Sequence, residues 1–229
     1  MRLSAPLPTG AVTSLRVPAA LVTVLLALAG VVNLVAAGIG MSAWSLANDL
    51  VVDPYAVSES ALDGSHVLTG NAGNIQQMAL LVTGVSFLVW FHRARVNGEI
   101  FHPGGFTQTR GWAIGSWFIP VVHLFLPFRI ALQIWMASAP PGSGSTPRRL
   151  STFLPTAWWT LWAGSGVLYA VVDQMLERAE GAEAWRNGVA VGILADLLMA
   201  AAAVLAVLFV RRLTAMQHAR ATGDPRTAV

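Results

Sequence analysis

Apolar residues in this chain come in long blocks, not in alternation. The first block runs from Val17 to Met41, with Asn33 as its most polar interior residue. The second, Ile75 to Phe91, sits at the short end of the ~17–25 residues that cross a bilayer. Phe153 to Met175 is the third. Val189 to Val210 is the fourth, about 33 Å long at ~1.5 Å per residue. Each reads as a membrane-spanning helix. The first block is too long for a secretory signal, whose apolar region is roughly 7–15 residues. A fifth stretch, GWAIGSWFIPVVHLFLPFRIALQIW from Gly111 to Trp135, is equally apolar but holds Pro120, Pro127, His123 and Arg129. It either crosses as a kinked fifth helix or enters and returns.

The charges between blocks choose. Arg2 and Arg16 precede the first block, and only acids (Asp49, Asp53, Glu59, Asp63) follow it. Arg93, Arg95 and Arg110 follow the second. Arg148 and Arg149 precede the third. Glu177, Glu180 and Glu183 come next, with Arg178 and Arg186. Arg211, Arg212, Arg220 and Arg226 close the chain. Arginine-rich loops stay in the cytoplasm. If the fifth stretch crosses, the C-terminal half breaks this rule. If it returns, 12 of the 14 arginines lie inside. The prolines agree, since each removes a backbone donor, and non-helical backbone at membrane depth needs protein or water beside it. The expected fold is therefore all-α: a polytopic membrane bundle of four transmembrane helices plus a proline-broken re-entrant or interfacial segment, 111–137. Five spans is the alternative. The expected organisation is a cytoplasmic tail at 1–16, one bundle domain at 17–210, and a cytoplasmic tail at 211–229. Within the bundle, residues 138–152 form a linker around PPGSGSTP, and 45–74 form a long outer loop with one short helix. Trp112, Trp117 and Trp135 suit the headgroup level, as do Trp158, Trp159 and Trp162.

Composition strengthens the membrane reading. Charged residues make up 11% of the chain, against about 25% in soluble domains. The sequence pI near 10.5 does not point to nucleic acid, because the net charge is only +3 and the arginines flank apolar blocks. With no cysteine, a disulfide framework, a thiolate metal site and a cysteine nucleophile are all excluded.

The stretch WFHRARVN at 90–97, followed by GWAIGSWFIPVVHLFLPFRIALQIWMAS at 111–138, resembles a bacterial membrane family catalogued as domain of unknown function 4328 and common in actinobacteria. The matching positions are Trp90, Arg93, Arg95, Asn97, Gly111, Trp112, Trp117, Phe118, Pro120, Pro127 and Trp135. The chain departs from the family pattern at His123, Phe125 and Leu126, so no role of those side chains carries over. The resemblance implies a multi-span membrane protein of the bacterial cell membrane and no particular activity.

Ionisable residues inside a membrane are functional candidates because each costs a few kcal/mol there. Asp196 lies near the middle of the fourth block, on a face with Gly192, Ala200 and Ala203. Asn33 shares a face with Gly30, Ala37 and Gly40, and Asp173 one with Gly166 and Ala170. Gln76 and Gln77 enter from the outer end of the second block. Asp196, Asp173 and Asn33 are thus the candidates for an acid, proton or ligand site. The structural reading is hydrogen bonding between helices, worth about 0.6 kcal/mol each. A second group, Arg93, Arg95, Asn97, His123 and Arg129, with His102 and Gln133 nearby, could hold a lipid headgroup or an anionic metabolite. Its structural reading is anchoring to anionic lipid, about 1 kcal/mol per arginine. No metal motif, catalytic elbow or phosphate loop is present, and no cofactor is expected. The expected role is a non-enzymatic scaffold, partner subunit or lipid-interacting accessory. The alternative is an enzyme or carrier for a hydrophobic, anionic lipid or isoprenoid-like substrate. The expected partners are the bilayer and either another membrane protein or a second copy of the chain, not nucleic acid.

Overall fold

Every regular element among the described residues is a helix. The structure, a computed structural model, describes residues 12–139 and 150–223. Most of the N-terminal tail, the PPGSGSTP linker and residues 224–229 lie outside them. Helix α1 spans Arg16–Val52 and α2 spans Glu59–Phe101. A single turn, α3 (Trp112–Gly115), and a 3-10 turn, Val122–Leu124, precede α4 (Leu126–Ala137). Helices α5 (Phe153–Glu177) and α6 (Ala182–Thr222) complete the chain.

Prolines explain several boundaries. Pro18, Pro127 and Pro155 sit in the first turns of α1, α4 and α5, where backbone N–H groups have no helical partner to lose. Pro54 and Pro103 follow α1 and α2, and the residue before a proline disfavours helix. Gly181, with φ +87°, turns the chain from α5 into α6.

Helices α1, α2 and α6 are each long and apolar enough to cross a membrane. The helices outrun their apolar blocks. The expected long loop at 45–74 is a six-residue connection, 53–58, because polar residues extend α1 and α2 as helix. Asp53 Oδ1 accepts the Tyr55 N–H at 2.9 Å, and Ser58 Oγ caps α2 by accepting the Ala61 N–H at 3.3 Å. Helix α6 likewise continues past Val210 to Thr222.

The proline-broken stretch contains no helix longer than the 12 residues of α4, about 18 Å at ~1.5 Å per residue. That is well short of the ~30 Å hydrocarbon core. Between α3 and α4 the chain bends at Val121, with φ 66° and ψ −48°. The Val122 N–H donates to Pro120 O at 2.8 Å, closing a γ-turn of the strained hand. A β-branched residue there costs of order 1–3 kcal/mol and must be held by its surroundings.

The described residues pack as two compact units. One draws on the described residues within 12–24, 84–139, 150–157 and 205–223; the other on 25–83 and 158–204. The first unit has an aromatic core. Phe87, Trp90, Phe91, Trp117, Trp135 and Phe209 meet at ring-centroid distances of 5.4 to 6.4 Å. Trp135 is therefore interior, not a headgroup anchor as the sequence suggested. It is 1% exposed, and its Nε1 donates to Ser151 O at 3.1 Å. The second unit is built on small residues. Gly30 of α1 faces Ala203 of α6, and a Cβ on Gly40 would come within 2.9 Å of Ile193 Cγ1. Close backbone approach between small residues is how helices pack in lipid. Trp158 and Trp159 are also buried, against the expectation of an interfacial belt.

Candidate functional site

In the second unit, four helices aim one polar side chain each at a common point. Small residues let the backbones approach there. Asn33 comes from α1, Gln76 from α2, Tyr169 from α5 and Asp196 from α6. Asp196 Oδ1 accepts from Gln76 Nε2 and from the Tyr169 hydroxyl, both at 2.7 Å. Asn33 Oδ1 accepts from the same two donors, at 3.0 Å and 3.1 Å. Asn33 Nδ2 donates to Ala29 O at 2.7 Å, which fixes the orientation of its amide. The four polar atoms thus form a closed ring. Asn33 and Asp196 are each 8% exposed. No cation reaches Asp196 among the described residues.

Asn33 and Asp196, two of the three candidates read from the sequence, are brought together. Asp173 is not. It is exposed on α5 and has no hydrogen-bond or ion-pair partner among the described residues. Gln77 is exposed as well. Tyr169 was missed. Its signal was a phenol four residues before Asp173, on the face already marked by Gly166 and Ala170.

The arginine group does not converge. No hydrogen bond or ion pair joins any two of Arg93, Arg95, Asn97, His123 and Arg129. Arg93 and Arg129 are exposed, and His123 is half-buried on the 3-10 turn. Arg95 is an interior residue, 2% exposed. It donates to Glu99 Oε2 at 2.8 Å and to Gln108 O at 2.8 Å, and its guanidinium lies 3.6 Å from the Phe106 ring centroid. Arg110 also donates to Glu99, at 3.1 Å. The bonds from Arg110 and Arg95 hold the Glu99 carboxyl below its ordinary range. These residues border an open groove of about 710 Å³ lined also by Thr107, Thr109 and Gly111. Glu99 pairs both of the groove's arginines.

Asn97 belongs to a different network. Its amide exchanges hydrogen bonds with the Thr13 backbone, at 3.0 Å and 2.8 Å, and donates to Gln217 Oε1 at 3.1 Å. Gln217 Nε2 donates to Ala94 O at 3.0 Å and to Ser138 Oγ at 2.9 Å. Arg220 donates to Ala137 O at 2.7 Å, to Ala139 O at 3.0 Å and to Phe101 O at 3.3 Å, covering the carbonyl ends of α4 and α2. The polar residues of this unit thus fasten the proline-broken segment to α2 and α6.

The family described as Domain of unknown function (DUF4328) matches residues 53–215. The chain belongs to this family. No curated protein and no solved structure matches it. In this DUF4328 chain five of the eleven residues that carry the family resemblance are interior to the first unit. Trp90, Arg95, Asn97, Pro127 and Trp135 are all buried. They build the packing of that unit.

Proposed function

We propose that the chain is a multi-pass protein of the bacterial cell membrane, acting as a non-enzymatic scaffold, partner subunit or lipid-interacting accessory. The observation that carries this reading is how the buried polar side chains are used. Asp196, Asn33, Gln76 and Tyr169 bond one another, and Asn97, Gln217 and Ser138 do the same. Such bonds clamp helices. In native mass spectrometry of the full chain released from lipid nanodiscs, a second copy, another membrane protein or retained lipid is expected on the chain. A bare monomer under every release condition overturns the accessory role.

The topology belongs to the same proposal. Helices α1, α2, α5 and α6 span, both termini are cytoplasmic, and 111–137 enters and returns. The short α4 and the γ-turn at Val121 support the return, and so does the arginine distribution. Exposed Phe118, Val121 and Phe125 would then meet acyl chains or the headgroup boundary. The chain has no cysteine, so single-cysteine probes need no background removal. In intact cells a membrane-impermeant maleimide is expected to label Tyr55→Cys, and to label Ser143→Cys only after permeabilisation. Labelling of both in intact cells means the segment crosses.

A further inference from the structure

The Asn33–Gln76–Tyr169–Asp196 ring has four polar contacts, and its protons can be counted. Gln76 Nε2 carries two, and they serve its contacts to Asn33 Oδ1 and Asp196 Oδ1. The Tyr169 hydroxyl carries one, yet it lies 2.7 Å from Asp196 Oδ1 and 3.1 Å from Asn33 Oδ1. Both are hydrogen-bonding separations. One proton cannot lie along both. An ionised Asp196 and a neutral asparagine oxygen are acceptors only, so one of the four contacts would be lone pair against lone pair.

Turning an amide does not supply the missing proton. Asn33 Nδ2 is held on Ala29 O at 2.7 Å. Turning Gln76 would set its carbonyl oxygen against two acceptor oxygens. Asp196 is the one ring member able to take a further proton. With a proton on Oδ1, Asp196 donates to Tyr169 through a carboxyl O–H that still accepts from Gln76, Tyr169 donates to Asn33, and Gln76 donates to both Oδ1 atoms. Each contact then holds one proton.

We propose that this ring is a proton-binding site, with Asp196 as the residue that takes up and releases the proton. The groups facing Asp196 from the packed helices are Asn33, Gln76 and Tyr169, of which only Tyr169 is titratable. Arg186 is engaged elsewhere, with Asn48 and Glu183. Loss of the proton breaks one side of the ring and so loosens a bond among α1, α5 and α6. That gives the bundle a protonation-dependent packing state, beyond the clamp described above.

Infrared spectroscopy of the full chain in lipid nanodiscs, in H2O and D2O across pH, tests this. The wild type is expected to show a protonated-carboxyl C=O stretch at neutral pH that shifts in D2O. Asp196→Asn should lack it, and Asp196→Glu should keep it at a moved frequency. Asn33→Leu removes the acceptor of the Tyr169 proton and frees Tyr169 to bond the carboxylate. The band should then disappear at a pH lower by about one unit or more, a tenfold weaker hold on the proton. Superimposable carboxyl regions in the wild type and Asp196→Asn, with both folded by circular dichroism, overturn the proposal. If Asp196→Asn does not fold, a carboxyl band unmoved in Asp196→Glu overturns it equally. A change that follows sodium concentration and not pH also overturns it, assigning the ring to a monovalent cation.

Discussion

Trp135→Ala is expected to destabilise the aromatic unit by about 3–5 kcal/mol, the range for removing a fully buried tryptophan. The indole is 1% exposed. It stacks on Phe209 of α6 with centroids 5.7 Å apart and planes 25° apart. Its N–H is spent on Ser151 O, just before α5 begins. Alanine would leave a cavity beside Phe209 and an unpaired carbonyl at Ser151. The Arg212 guanidinium, 5.8 Å from the ring centroid, would lose its aromatic face. Thermal unfolding of the full chain in nanodiscs should show a large fall in midpoint. Trp112→Ala is the control. Trp112 is 39% exposed on α3, and its loss should cost far less. Equal falls for the two variants would return Trp135 to the headgroup level.

That contrast shows where sequence reading stopped. Apolar blocks placed the helices, because a bilayer-length run needs no tertiary information. The family resemblance rested on residues with fixed spacing and is supported by the match over residues 53–215. Helix ends were less legible. Polar residues such as Asn74 and Arg211 looked like loops and tails, yet they continue α2 and α6, since no proline interrupts those stretches. Tryptophan has two homes in a membrane protein, the headgroup belt and the interior, and hydropathy alone does not separate them. Trp112 and Trp135 lie 23 residues apart in one apolar stretch and differ in burial only through the fold. For the ring, helical spacing found the faces of Asn33 and Asp196, because small neighbours mark close approach. It missed Tyr169 and grouped Asp173 with Asp196, because helical spacing marks a shared face and not which residue along it meets a neighbouring helix. For the arginine group, proximity in sequence suggested one site. Arg95 turns inward to Glu99, while Arg93, two residues earlier, faces out.

Gln217 makes the sharpest test of the last turns of α6. Read from sequence, it lies in a cytoplasmic tail seven residues past the final apolar block, where substitution should be neutral. In the structure it is 2% exposed and joins α2, α4 and α6. Its amide holds Ala94 O, Ser138 Oγ and the Asn97 side chain. Gln217→Leu keeps most of the volume and removes every one of these bonds. Asn97 Nδ2 would retain only Thr13 O, and Ser138 Oγ only its own bond to Ile134 O at 2.7 Å. Buried polar groups that lose partners cost about 1–3 kcal/mol each, less where a second partner remains. The expected destabilisation is therefore about 2–4 kcal/mol, measured by thermal unfolding against Arg211→Ala, an exposed change six residues earlier that should be nearly neutral. Asn97→Leu combined with Gln217→Leu should cost less than the two changes added, because each removes the same shared bond. Full additivity would mean that Asn97 and Gln217 do not touch, and that the end of α6 is a tail after all.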